Sequence, residues 1–175
     1  TITANPQILC NGQSTTLSVS GASTYNWNNG LGGGNSHNVT PLTSTTYTVT
    51  GTNTYNCSST ASIDVTVNPN PTVSITPSSP EVCEGKSISL QASGANTYLW
   101  STNETTSSIN VNPTVTTFYN VTGTNTYGCT NNASVKVIVN PNPTVAITPI
   151  SPIICIGNSI SISASGGISY VWNTG

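Results

Sequence analysis

The chain is 175 residues long and only 3% of it is charged, against about 25% in an ordinary soluble domain: Lys86 and Lys136 are its Lys and Arg complement, Asp64, Glu81, Glu84 and Glu104 its acids. A net charge of −2 spread this thinly excludes nucleic acid and an anionic membrane surface as partners, because both are bound through clustered Lys and Arg. With so few titrating groups, folded and unfolded chains bind nearly the same number of protons from mild acid to mild base, so stability is expected to be almost flat with pH there.

From the N-terminus onward, every predicted element is a β-strand. β-Branched and aromatic residues alternate with polar ones at period two, the pattern of a sheet with one buried face. Leu17 with Val19, Tyr25 with Trp27, Tyr47 with Val49, and Ile63 with Val65 and Val67 fall on inward positions. The Gly-rich stretch at 32–34 lacks the Lys of a phosphate loop and reads as a flexible turn. An Asn-Pro-Asn-Pro linker at 68–71 follows; two prolines in four residues make a short, stiff connection. Further strands are predicted near 72–76, 86–93, 96–100, 107–112, 117–124 and 133–140, with Ile88, Leu90 and Ala92 on one face. Asp64 and Lys136 take equivalent outward slots. A second Asn-Pro-Asn-Pro stands at 140–143.

The second set of strands restates the first. Cys10, Tyr25, Trp27, Tyr47, Val49 and Cys57 return as Cys83, Tyr98, Trp100, Tyr119, Val121 and Cys129, and a third copy begins with Cys155, Tyr170 and Trp172. The offset drops from 73 to 72 after the tryptophan, which places a one-residue insertion in the loop at 30–34, where surface loops tolerate it. The expected organisation is 1–70, 71–142 and 143–175, the last holding only the first part of a unit. Six or seven short strands with a Trp on the third argue for all-β architecture: tandem immunoglobulin-like β-sandwich domains arranged as a rod. The partial third unit is expected to be completed by sequence beyond these residues or by a strand from a neighbouring chain. No stretch approaches membrane-spanning length, and the absence of a signal-peptide pattern fits a segment taken from inside a mature protein.

A unit of about 72 residues buries only around 60% of its unfolded surface, so a covalent staple matters. Two cysteines per complete unit, without metal-ligand spacing, point to disulfides and an oxidising, extracellular setting. The early cysteine is read as lying between the first and second strands, the late one in the turn between the last two. In an immunoglobulin-like topology those connections sit at opposite ends of the sandwich, about 25 Å apart for a strand of seven or eight residues. Bridged Cα atoms lie within about 7 Å. The favoured pairing is therefore interdomain, Cys10 with Cys129, leaving Cys57, Cys83 and Cys155 for units outside this chain. Cys10 with Cys57 and Cys83 with Cys129 is the alternative.

Other candidates are few. Asn-x-Ser/Thr patterns begin at Asn38, Asn56, Asn103, Asn120 and Asn132; they are possible glycosylation sites, although an Asn- and Thr-rich chain produces such patterns by chance. Tyr55 and Tyr127 stand at strand-turn tips beside the late cysteine, where an aromatic ring could stack on a sugar; packing against the adjoining domain is favoured. His37 lacks an orienting acid or thiol and takes the inward slot of Ile109, so it is read as structural. Glu81 and Glu84 alone are too few oxygens for Ca²⁺. No catalytic residue, metal or cofactor is expected.

The runs Cys10-Asn-Gly12-Gln-Ser14, Ser20-Gly-Ala22-Ser-Thr-Tyr25-Asn-Trp27 and Thr46-Tyr47-Thr-Val49-Thr-Gly-Thr52 together resemble the immunoglobulin-like and PKD-like repeats of giant bacterial surface adhesins. Those repeats are found especially in proteins secreted by the type IX route in Bacteroidota. The acidic Phe-Gly-Asp-Gly turn of PKD domains proper is missing after the Trp. The resemblance covers essentially the whole chain and implies a non-enzymatic, extracellular, cell-surface protein. The expected function is a structural shaft of a filament or adhesin, whose partners are copies of itself or adjacent repeats, with surface glycans as further candidates. The competing expectation is a carbohydrate-binding, lectin-like module.

Overall fold

The computed structural model describes residues 1–173, and all regular structure among them is extended. The first seven strands are β1 (Ile2–Asn5), β2 (Ile8–Cys10), β3 (Thr15–Val19), β4 (Thr24–Trp27), β5 (Ser36–Val39), β6 (Thr45–Thr52) and β7 (Ser58–Asn68). One sheet has the order β1-β3-β5 and the other β2-β7-β6-β4. Both cover one core of Leu9, Leu17, Trp27, Val39, Tyr47, Val49 and Val65. Period-two patterning decides which residues enter it. On the β6–β7 pair, Tyr47 lies opposite Ile63 and faces inward, while Thr46 and Asp64 oppose each other in water and share a 2.6 Å hydrogen bond.

The same plan recurs in β8 (Ser74–Thr76), β9 (Glu81–Cys83), β10 (Ile88–Ser93), β11 (Thr97–Trp100), β12 (Ser108–Val111), β13 (Thr117–Thr124) and β14 (Thr130–Asn140), with sheets β8-β10-β12 and β9-β14-β13-β11. Registers match between the two sandwiches: Trp27 opposes Val49 as Trp100 opposes Val121. Each indole N–H donates to a carbonyl of the following loop, Gly34 at 2.8 Å and Thr106 at 2.9 Å. Each preceding tyrosine pins the turn before its strand, Tyr25 through both backbone groups of Ala22 and Tyr98 through those of Ala95. His37 opposes Leu17 as Ile109 opposes Leu90, and packs edge-on against Trp27 with ring centroids 5.7 Å apart. Its Nε2 is buried without a hydrogen-bond partner.

One feature departs from the expected strands. The first strand of each sandwich is two strands on different sheets: β1 pairs antiparallel with β3, whereas β2 runs parallel to the last strand, β7; β8 and β9 divide likewise between β10 and β14. The early cysteine, read from sequence as part of a connection, closes β2 or β9 instead. Proline explains the break. Pro6 and Pro77 follow the first segment and have no N–H to continue its ladder, so the chain crosses to the other sheet. There, the Gln7 and Pro80 carbonyls accept from Thr66 and Ile138. Three residues are too few for periodicity to reveal such a strand.

Among the described residues of the third segment only β15 (Ala146–Thr148) and β16 (Ser163–Ser165) pair. Trp172, which corresponds to Trp100, is 48% exposed where Trp100 is 2% exposed, because residues 143–173 supply no counterparts of β13 and β14 to cover it.

Burial raises the phenols of Tyr47 and Tyr119 above the usual phenol range. Near neutrality both are protonated in either state. As pH rises through about 10, unfolded phenols release protons while the folded ones hold theirs, so stability is lost toward the raised folded values. Urea midpoints are expected to agree from pH 5 to 9 and to fall at pH 11, with Tyr119→Phe recovering part of that fall; a steep acid transition would contradict the charge-poor reading.

Candidate functional site

The most constructed feature of the molecule lies where the two sandwiches meet. Cys10 ends β2 and is the register partner of Asn68, the last residue of β7, so it stands beside the start of the linker. Cys129 belongs to the turn between β13 and β14. That turn is organised by Asn125, whose side-chain oxygen accepts from the backbone N–H groups of Tyr127 and Cys129, each at 3.0 Å. Asn53 builds the same turn around Tyr55 and Cys57 at 2.9 and 3.0 Å. The motif Gly-Thr-Asn-Thr-Tyr is thus a turn-forming device that presents the late cysteine. Cys10 and Cys129 are joined in a disulfide with Cα atoms 5.5 Å apart, across 119 residues of sequence.

The linker itself is held from both sides. Because its prolines have no N–H, it offers mostly acceptors, and asparagine amides meet them. Asn125 Nδ2 donates to the Pro69 carbonyl at 2.8 Å and Asn131 Nδ2 to the Pro71 carbonyl at 3.0 Å, both from the second sandwich. From the first, the Asn11 N–H donates to the Asn68 carbonyl at 3.0 Å, and Asn70 Nδ2 returns to the Asn11 carbonyl at 3.1 Å. Pro71 is buried. Beyond it, Thr72 and Val73 run between Gly94 and Gly123: a Cβ on Gly123 would lie 2.6 Å from the Val73 side chain, and one on Gly94 would lie 1.8 Å from the Thr72 carbonyl oxygen. The junction contains no charged group, and its bonds are amide to carbonyl.

The other sequence-derived candidates fall elsewhere. Cys57, Cys83 and Cys155 are exposed free thiols. Cys57 occupies the place of Cys129 on the opposite end of the first sandwich, and Cys83 the place of Cys10 beside the second linker. There Asn142 Nδ2 donates to the Glu84 carbonyl at 3.1 Å, as Asn70 does to Asn11. The end of the first sandwich that carries Cys57 has a shallow cavity lined by Ala22, Tyr25, Gly51 and Ala61. Gly51 and Ala22 correspond to Gly123 and Ala95, against which Val73 packs in the second sandwich. At the junction Tyr127 is 64% exposed, so the junction is closed by the disulfide and the asparagine amides rather than by this ring, while Tyr55 stands at the opposite end of the first sandwich. Asn38, Asn56, Asn103, Asn120 and Asn132 are all exposed, on several different surfaces. Among the described residues no three His, Cys, Asp or Glu side chains converge as metal ligands, and no helix is long and apolar enough to cross a membrane. Asn11, Asn70, Asn125 and Asn131 were not legible as clamp residues. Asn125 and Asn70 left a trace, their recurrence as Asn53 and Asn142.

No family model and no curated protein matches the chain. Among solved structures, it is similar to murine CEACAM1b (12% identity, TM-score 0.36, covering 80% of this chain and 99% of that one). It is also similar to the fibronectin(III)-like modules of Clostridium thermocellum CbhA (13%, 0.39, 81% and 95%). The N-terminal four immunoglobulin domains of Dscam1 isoform 6.44 match at 10% and 0.35, with 76% of this chain covering 43% of that one.

Proposed function

We propose that the chain is a stretch of the structural shaft of an extracellular filament or cell-surface adhesin, of the kind carried by type IX-secreted bacterial proteins. The observation that supports it most is the junction: a disulfide between two sandwiches, beside a proline linker clamped by amides from both. A disulfide of this kind persists in an oxidising compartment, which favours an extracellular location. Head and tail are complementary by construction. One end presents Cys57 and an open counterpart of the Val73 seat, and the other presents Cys83 beside a linker of the same sequence. Adjacent repeats, or copies of the chain, are the partners that fit these ends, with Cys57, Cys83 and Cys155 bridging to them. A near-neutral surface of Ser, Thr and Asn opposes such association weakly.

Electron microscopy of the native protein with and without reductant tests this. Straight fibres with a repeat of about 30–40 Å per sandwich, from strand length plus turns, that loosen on reduction are expected. Compact separate particles indifferent to reductant would overturn the shaft reading and direct attention to glycan binding at Tyr55 and Tyr127.

A further inference from the structure

We infer that the Cys10–Cys129 bridge diverts tension around both sandwiches, so that the folded domains form a covalently closed reserve of length that pulling cannot release while the bridge is intact. The path of the covalent bonds decides this. Followed from the N-terminus, the chain reaches Cys10 at the end of β2 and crosses by the disulfide to Cys129. It then leaves along β14, which begins at Thr130 and ends at Asn140, the start of the second linker. Residues 11–128, which include β3 to β7 and β8 to β13, hang from that path as a loop closed at both ends. However far they unfold, they cannot lengthen the molecule.

The strands left on the path through the junction are β1, β2 and β14. Their parallel ladder partners, β7 for β2 and β9 for β14, lie inside the closed loop and carry no tension while the bridge holds. The bridge is also sheltered: Cys129 is fully buried and Cys10 half-buried, so a reductant gains access poorly until the junction opens. Release requires thiol–disulfide exchange with a dithiol, which supplies two electrons and two protons, leaves as its own disulfide, and returns Cys10 and Cys129 as thiols. Only then does the loop join the path. At about 3.5 Å per extended residue, the 119-residue separation adds on the order of 400 Å.

The biological setting of this device rests on the shaft reading, but its physics belongs to a single chain, so the two fail separately: microscopy judges the first and single-molecule pulling the second. With handles at the two ends of the full chain, oxidised molecules are expected to extend to on the order of 200 Å with no step from either sandwich. The Cys10→Ser, Cys129→Ser double variant, or wild type reduced after folding, is expected to show two further steps that together add on the order of 400 Å. Two long steps in the oxidised chain would overturn the inference. So would an unchanged short extension in wild type whose reduction has been verified by thiol titration.

Discussion

Trp100→Ala is expected to unfold the second sandwich at temperatures where the first stays folded, lowering its transition by on the order of 20 °C. The indole is 2% exposed and is the largest fully buried side chain of the molecule. It packs among Leu90, Ile109, Tyr119, Val121 and Val137, drawn from both sheets. Truncating a buried Trp to Ala costs about 3–5 kcal/mol, and each kcal/mol shifts the midpoint of a domain this size by about 4–8 °C. The loss of the bond from Nε1 to the Thr106 carbonyl adds an unsatisfied acceptor in the loop after β11. Calorimetry should resolve two transitions where the parent has its two sandwiches coupled by the bridge, with the upper one close to the parent. A single transition at the parent temperature would mean that Trp100 is not the keystone of its core.

Gly94→Ala is expected to be nearly as damaging, for a reason unrelated to the core. Gly94 has φ of +90°, and a Cβ there would lie 1.8 Å from the Thr72 carbonyl oxygen. The obstruction is backbone, not the far end of a flexible side chain. Thr72 and Val73 cannot retreat, since Val73 already seats against Gly123 and Ala95 on the other side. The left-handed conformation alone costs a non-glycine residue about 1–2 kcal/mol, and forced displacement of packed chain adds about 1–3. Gly85→Ala supplies the control: φ is +79°, with nothing within 4 Å of its Cβ, so only the first cost applies. Because the displaced segment continues into the linker held by Asn125 and Asn131, Gly94→Ala should also disturb formation of the bridge. Thiol titration after refolding is expected to count three free thiols in the parent and in Gly85→Ala, and more in Gly94→Ala. Equal melting temperatures and equal thiol counts for the two variants would refute the steric argument.

What the sequence made legible follows from what leaves a periodic trace. Inward residues such as Leu90, Trp100, Tyr119 and Val137 repeat at period two and again one unit later, so the sheets and their buried faces could be read directly. The split of the first strand could not, because β2 and β9 have three residues each and the proline that divides them from β1 and β8 looks like any turn. The clamp was hidden for a different reason. Asn70, Asn125 and Asn131 act through side-chain amides on carbonyls far along the chain, to Asn11, Pro69 and Pro71, and in an Asn-rich sequence no single asparagine stands out, while Asn11 takes part only through its backbone. The exposure of Tyr127 was also invisible, since an aromatic beside a junction reads the same whether it packs or points to water.

The bond from Asn70 to Asn11 at the first linker recurs as the bond from Asn142 to Glu84 at the second. A connection that is both fixed and repeated acts as a symmetry operator: one rotation and one rise, applied again at each step. Its successive application generates a screw. In a longer array in which this joint recurs, the pitch and handedness would follow from the geometry of a single Asn-Pro-Asn-Pro joint, and a substitution there would alter the coil of that array.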